Sequence, residues 1–382
     1  MRELLLLFRR IVGQLRRIAA RLAVSAFYWS LYYLVELPQR GRTRRFEGTA
    51  RFASGLWCIF AMRLGKPISA NMLAFLGRLR GLDYNIILIN NGILAADQIP
   101  PFSPFCHTLV SKARGGRDFG SYQYATRYLR QLAEHMPVRQ IIYCNDSVFI
   151  RPSRFTQLLV RIRATDDDYI GMTETFEFHY HISSWFFAIS RKTFDASEFQ
   201  RFWAKYRPGS SRFHSIHKGE IGLSRALIRG GIYPNVLFTG KTVVDLCFNN
   251  ADRLVRRLSR LSGIILWGRV RNELAALAAA PEPSGASVGE EMVRRRVHDE
   301  ASFENNTNLY NLFLIELCDF PFIKKDIVFR NQYLVGQIED VIEGWTDEDR
   351  EHIREILGFF RSRNAMRWMR GVRGYLTREG MI

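Results

Sequence analysis

From about residue 55 onward, short apolar runs alternate with amphipathic stretches, and this alternation predicts strands separated by helices. Leu56 to Met62 (LWCIFAM) reads as a first strand. Ser69 then caps a helix running to about Leu82. Tyr84 to Ile89 is a second, β-branched strand that ends in the turn signal Asn90-Asn91-Gly92. His107 to Lys112 is a weaker third strand, Phe119 to His135 a helix, Gln140 to Cys144 a fourth strand, and Phe155 to Arg163 a helix. Tyr169 to Thr173 and Ser184 to Ser190 continue as strands, and Phe194 to Lys205 and Glu220 to Arg229 as helices. The spacing predicts an α/β fold with a mostly parallel central sheet.

The two ends of the chain depart from this pattern. Leu4, Phe8, Ile11, Val12, Leu15, Ile18 and Leu22 recur at helical spacing, with Arg9, Arg10, Arg16, Arg17 and Arg21 on the opposite side. A basic amphipathic helix of this kind lies in a membrane interface, apolar face down. The following run, Leu22 to Leu37, has 16 residues and includes Glu36. A spanning helix needs about 20 apolar residues, so surface association is the favoured reading. The competing reading is a helix that packs on the protein body or on a second subunit. No small-residue cleavage site follows a short apolar core, which speaks against secretion. Residues 275–300 (rich in Ala, Pro, Gly and Ser) read as a linker or exposed loop. Four parts result: basic membrane-associating helices over 1–50, the α/β body over 55–274, the linker, and a helical C-terminal segment with a basic tail over 301–382.

Composition refines this. Of 382 residues, 47% are hydrophobic and 24% charged, as in a folded protein with a substantial core. The net charge is +18 and unevenly spread. Ten arginines against two glutamates give +8 over residues 1–45, and six against one give +5 over 357–382. The body between is mildly basic, which disfavours a nucleic-acid partner and favours an anionic membrane surface. A peripheral position on the cytoplasmic face of the inner membrane follows as an expectation. The five cysteines are widely spaced with no CxxC, which excludes a zinc ribbon and points to a reducing compartment.

In an open α/β sheet, ligands sit beyond the carboxyl ends of the strands. Two polar clusters fall there. Gly115-Gly116-Arg117-Asp118-Phe119-Gly120 lies between the third strand and a helix. Its glycines allow close backbone approach, and Arg117 suits a phosphate or a carboxylate. A glycine-rich turn with a capping aspartate reads equally well. It is not GxGxxG, so a nicotinamide cofactor has little support. Asn145-Asp146-Ser147 ends an apolar strand, where a carboxylate can hold a divalent cation, Mg²⁺ or Mn²⁺, against a diphosphate. The same triplet also suits a plain turn. Asp166-Asp167-Asp168 has the D-x-D spacing but precedes a strand, and reads as a solvated turn. His179 and His181 are two apart with no third ligand evident; His181 is either a pocket residue or a structural histidine. Glu220 opens a helix, as a general base for a hydroxyl or as a glutamate favoured by the helix dipole.

Taken together, these blocks resemble the rhamnan synthesis F family of bacterial glycosyltransferases, from about Trp57 to Asn331 with a gap over the linker. The matching stretches are Pro67-Ile68-Ser69, Gly116 to Tyr122, Asn145 to Phe149 and Ile170 to Thr173. They continue with His181 and Ser184-Trp185-Phe186, Phe199 to Trp203, Gly219 to Ser224, and Pro321-Phe322-Ile323-Lys324. The resemblance implies a GT-A-like nucleotide-sugar-binding fold and a role in rhamnose-rich polysaccharide, O-antigen or capsule assembly. It implies that Arg117 and Asp118 hold the nucleotide or its ribose beside Gly116. It also implies that Asp146, flanked by Asn145 and Ser147, occupies the metal-binding place, that Glu220 is the base, and that His181 lines the pocket. The implied partners are a nucleotide sugar, dTDP-rhamnose foremost, and a lipid-linked glycan acceptor. Asn145-Asp146-Ser147 offers one carboxylate where that family pattern has two, and Ser183 stands where glutamine is frequent. A membrane-associated scaffold without catalysis is the alternative reading.

Overall fold

Strands that are apolar throughout become the centre of the sheet. In the computed structural model, which describes residues 43–64, 68–113, 115–242, 306–328 and 333–364 with isolated positions elsewhere, β2 (Leu56–Met62) is buried at every residue. So is β5 (Gln140–Asn145), and β3 (Asn85–Asn91) is buried up to its last residue. With β4 (Thr108–Lys112) they run parallel in the order β4-β3-β2-β5. Side chains alternate cleanly between two cores: Leu56, Cys58, Phe60 and Met62 face one, Trp57, Ile59 and Ala61 the other. A strand covered on both faces has no polar side to show.

Past β5, β9 (Phe186–Ser190) runs antiparallel between β5 and β7 (Tyr169–Thr175), and β10 (Asn235–Phe238) adds parallel to β7. Short β8 (His181–Ile182) pairs with β7. Six of the nine strands in this sheet point the same way, as the sequence predicts. Thr43–Glu47, assigned by sequence to the N-terminal helices, is instead β1, antiparallel on the β4 edge. Its arginines and glutamate suit an exposed edge strand.

The described α-helices of five or more residues are α1 (Ala70–Gly81), α2 (Arg117–Leu132), α3 (Pro152–Arg163), α4 (Arg191–Asp195), α5 (Ser197–Lys205), α6 (Ile221–Arg229), α7 (Asn311–Leu317), α8 (Val335–Ile342) and α9 (Ile353–Asn364). The expected single helix over 194–205 is broken into α4 and α5, because Ala196 is extended at ψ 136°. Ser69 caps α1 by accepting from the Met72 N–H, as expected.

The segment after residue 305 shares the core of the α/β body. Phe313, Phe320, Phe322, Trp345 and Phe360 join Phe60, Phe75 and Phe155 in one apolar cluster. Within it, β11 (Phe322–Lys324) pairs antiparallel with β6 (Val148–Ile150), so the C-terminal part is not purely helical. Asn311 fixes β11 by donating to the Phe322 carbonyl and accepting from the Lys324 N–H. The linker over 275–300 lies outside the described residues apart from the isolated Arg295, and so does most of the amphipathic N-terminus. No helix among the described residues is long and apolar enough to cross a membrane.

Candidate functional site

The sheet's carboxyl edge opens into a cleft of about 920 Å³ between the end of β5 and the C-terminal segment. Asn145, the last residue of β5, is buried there. Its amide organises the site. The Nδ2 group donates to Asp118 Oδ2 at 2.8 Å, and Oδ1 accepts from the Ser147 N–H at 3.0 Å and Oγ at 2.5 Å. Lys324 Nζ donates to the same Ser147 Oγ at 2.9 Å. An ammonium only donates and an ionised carboxylate only accepts. The line Lys324-Ser147-Asn145-Asp118 therefore has one possible proton direction, from cation to carboxylate. Asp146 sits beside it, its Oδ2 accepting from the Arg63 N–H at 2.9 Å.

Asp118 is placed by the start of α2. Gly116, which precedes it, is left-handed at φ 74°, and a Cβ there would meet the Pro208 Cβ at 2.5 Å. Its N–H goes to Ser210 Oγ at 3.1 Å. Gly116 therefore serves the turn and its packing. It lines a separate concavity of about 460 Å³ with Arg45, Lys112 and Arg127, so it does not join the nucleotide cluster to which the sequence assigned it. Arg117, also at positive φ (48°), does line the cleft.

Glu220 arrives on a different element, as the last residue of a π-helical turn, Ser215–Glu220, that leads into α6. Insertions of this kind re-aim a side chain. Glu220 Oε1 accepts from the Ser184 N–H at 3.2 Å and Oγ at 2.5 Å, and Oε2 lies 3.5 Å from His181 Nε2. His181 Nδ1 faces the His179 carbonyl at 2.7 Å. Burial alone would push the Glu220 carboxyl up, but His181 and Ser184 outweigh it and hold the group down at about 2. For His181 burial pulls the imidazole down, and Glu220 more than offsets it, so its pKa rises. Asp118 and Asp146 behave oppositely to Glu220. Burial raises both, against partial relief from Arg117 on the first and Lys325 on the second.

Arg117, Asp118, Asn145, Asp146, Ser147, His181 and Glu220 thus all line one cleft. Asp166-Asp167-Asp168 stays outside it: Asp168 accepts from Ser190 Oγ and Lys192 Nζ before β7 begins. Sequence reasoning missed several basic residues on the walls, Arg63, Arg212, Lys324 and Lys325. Lys324 stood in the sequence as the last residue of the matching block Pro321-Phe322-Ile323-Lys324, with no role assigned to it. Among the described residues no group of three or more His, Cys, Asp or Glu is arranged to hold a metal ion. One oxygen of Asp146 is already engaged by Arg63, and the neighbouring walls carry ammonium groups. The donor set by itself does not make a cation cage.

Comparison with known proteins bears on the same stretch. Residues 86–256 match the family model of RgpF, rhamnan synthesis protein F. The matched stretch contains Asp118, Asp146, His181 and Glu220, while Arg63, Lys324 and Lys325 lie outside it. The chain is also 22% identical over 298 residues to the uncharacterized protein y4gN of Sinorhizobium fredii (strain NBRC 101917 / NGR234), covering 73% of this chain and 76% of that one. Among solved structures, a glycosyltransferase involved in the glycosylation of the major capsid of PBCV-1 matches with a TM-score of 0.24 and 10% identity. That match covers 39% of this chain and 65% of the other, under two thirds of its length.

Proposed function

We propose that this protein is a glycosyltransferase of cell-surface polysaccharide synthesis. It moves a sugar, rhamnose foremost, from a nucleotide donor such as dTDP-rhamnose to a lipid-linked or growing glycan, with inversion at the anomeric carbon. One observation carries the reading: Asp118, Asp146 and Glu220, from three separate elements, meet in one cleft beyond the carboxyl ends of β2 and β5. The RgpF match supports the polysaccharide class. The sheet, with β9 reversed between β5 and β7, is compatible with a GT-A-like arrangement.

In such a transfer the acceptor hydroxyl oxygen bonds to the anomeric carbon while the bond from that carbon to the diphosphate oxygen breaks. The nucleoside diphosphate leaves with the electron pair, and the hydroxyl proton passes to a base. In this reading Arg117 and Asp118 hold the nucleotide, Asn145 and Ser147 orient them, and His181 and Glu220 form the wall facing the acceptor. Glu220 is the proposed base. Mg²⁺ or Mn²⁺, if used, would be held by Asp146. The basic ends of the chain would keep the protein at the anionic cytoplasmic face of the inner membrane.

The test is transfer from dTDP-rhamnose by the purified protein and by Asp146→Asn. The variant is expected to lose transfer while melting like the parent. Undiminished activity in the variant would remove the assigned site. A second reading, a scaffold that keeps the fold without catalysis, is favoured by one observation: a carboxyl held at about 2 is a weak proton acceptor. Transfer or hydrolysis of any nucleotide sugar by the pure protein ends that reading.

A further inference from the structure

Lys324 is a buried cation at the cleft wall. It is 9% exposed, yet it borders the cleft. Removing an ammonium from water is costly unless an anion or several acceptors replace the solvent. Among the described residues the Lys324 ammonium makes one hydrogen bond, to Ser147 Oγ at 2.9 Å, and no ion pair within 4 Å. The Trp185 ring lies 5.2 Å from Nζ, and the carboxylates of Asp326, Glu220 and Asp118 act on it from further off. Among the described residues no acceptor within hydrogen-bond distance takes the remaining donors of the ammonium. Ser147 in turn donates its own proton to Asn145 Oδ1. The other wall cations are differently placed. Arg212 lies 3.8 Å from Asp326, Lys325 stands over the Phe149 ring, and Arg63 is exposed.

We propose that Lys324 is the cation that receives the diphosphate of a nucleotide ligand, so that the ligand binds without a divalent metal ion. The inference rests on the nucleotide-sugar reading of this cleft and adds the group that neutralises the phosphates. The cleft offers a buried ammonium, anchored through Ser147 and Asn145 to the Asp118 carboxylate, and offers no three-ligand metal group among the described residues. A fixed positive charge in a water-poor site needs no reorganisation when a diphosphate arrives or departs.

Binding of dTDP, dTMP and thymidine to the full-length protein, measured by calorimetry in EDTA and again with Mg²⁺, tests this. The parent protein is expected to bind dTDP in EDTA and to prefer it over dTMP. Lys324→Gln is expected to weaken dTDP at least tenfold, to erase that preference and to leave thymidine unchanged, with Lys324→Arg restoring most of it. Equal dTDP affinity in Lys324→Gln would overturn the proposal. So would dTDP binding by the parent only after Mg²⁺ is added, a result that needs no folded variant. Failure of the parent to bind dTDP, UDP or GDP under either condition would remove the nucleotide reading itself, and the inference with it.

Discussion

Glu220 and His181 stabilise each other's charged forms across 3.5 Å, and this sets how the fold responds to pH. Glu220 is lowered from 4.5 to about 2, so its contribution to stability is complete above 4.5 and lost as pH falls toward 2. His181 is raised from 6.5, so its contribution is complete below 6.5 and lost as pH climbs through the folded value. Both are present together between 4.5 and 6.5. Replacing Glu220 with Gln keeps the shape but removes the charge. The drop in Tm relative to the parent is expected to be larger at pH 5.5 than at pH 8.5, followed by thermal melts at the two values. A difference in Tm that does not vary with pH would mean the pair is not ionised in the folded protein. Asp118, Asp146 and Glu220 were legible in the sequence because each occupies an informative place, a strand end or a helix start. Lys324 was not, since its partner Ser147 is 177 positions away and no local pattern couples them.

At the level of elements, one contact brings two of these carboxylates together. A Cβ on Gly219 would lie 2.7 Å from the Phe119 ring. The first turn of α2 and the π-helical turn therefore meet where only a glycine fits, and the residues adjacent to this contact, Asp118 before Phe119 and Glu220 after Gly219, both line the cleft. Gly219→Ala forces the ring or the turn to move. Overpacking of this kind costs about 1–3 kcal/mol. A lower denaturation midpoint is expected, together with a loss of activity larger than that of an alanine at exposed Gly81, where a Cβ meets nothing. Parental stability and activity would show that the turn yields freely. The long elements were readable because their patterns are long: β2, β3 and β5 are buried runs of six or seven residues. β6 and β11, at three residues each, carry too little periodicity to be seen, and their pairing is settled by the core around Phe322 and Phe149. The π-helical turn leaves no mark in the sequence, because Ser215–Glu220 has the polar composition of any helix entry.

At the level of the whole molecule, much of the charge lies outside the sheet, on a segment that touches the body where Trp29 meets the His214 ring edge-on at 4.9 Å. The chain carries +18, and residues 1–42 contribute eight arginines against two glutamates, or +6. The folded sheet begins at Thr43, where β1 pairs with β4 through Glu47. A truncation intended to remove the basic segment must stop at residue 42, because a cut at 45 would take half of an edge strand with it. Each basic residue near an anionic bilayer contributes about 1 kcal/mol. Two arginines at the surface would already change partitioning by roughly thirtyfold. Deleting residues 1–42 is therefore expected to lower partitioning onto vesicles containing anionic phospholipid by at least that factor in low salt. Binding to vesicles of neutral phosphatidylcholine should change far less, and the truncated protein is expected to melt somewhat below the parent because it loses the Trp29–His214 contact. Equal partitioning of the two forms on anionic vesicles would place the membrane contact elsewhere, with the arginines after residue 357 as the remaining basic cluster to delete. A large fall in Tm with partitioning unchanged would instead mean that the segment serves mainly to pack on the protein body, as Trp29 does on His214, which is the competing reading of its apolar face.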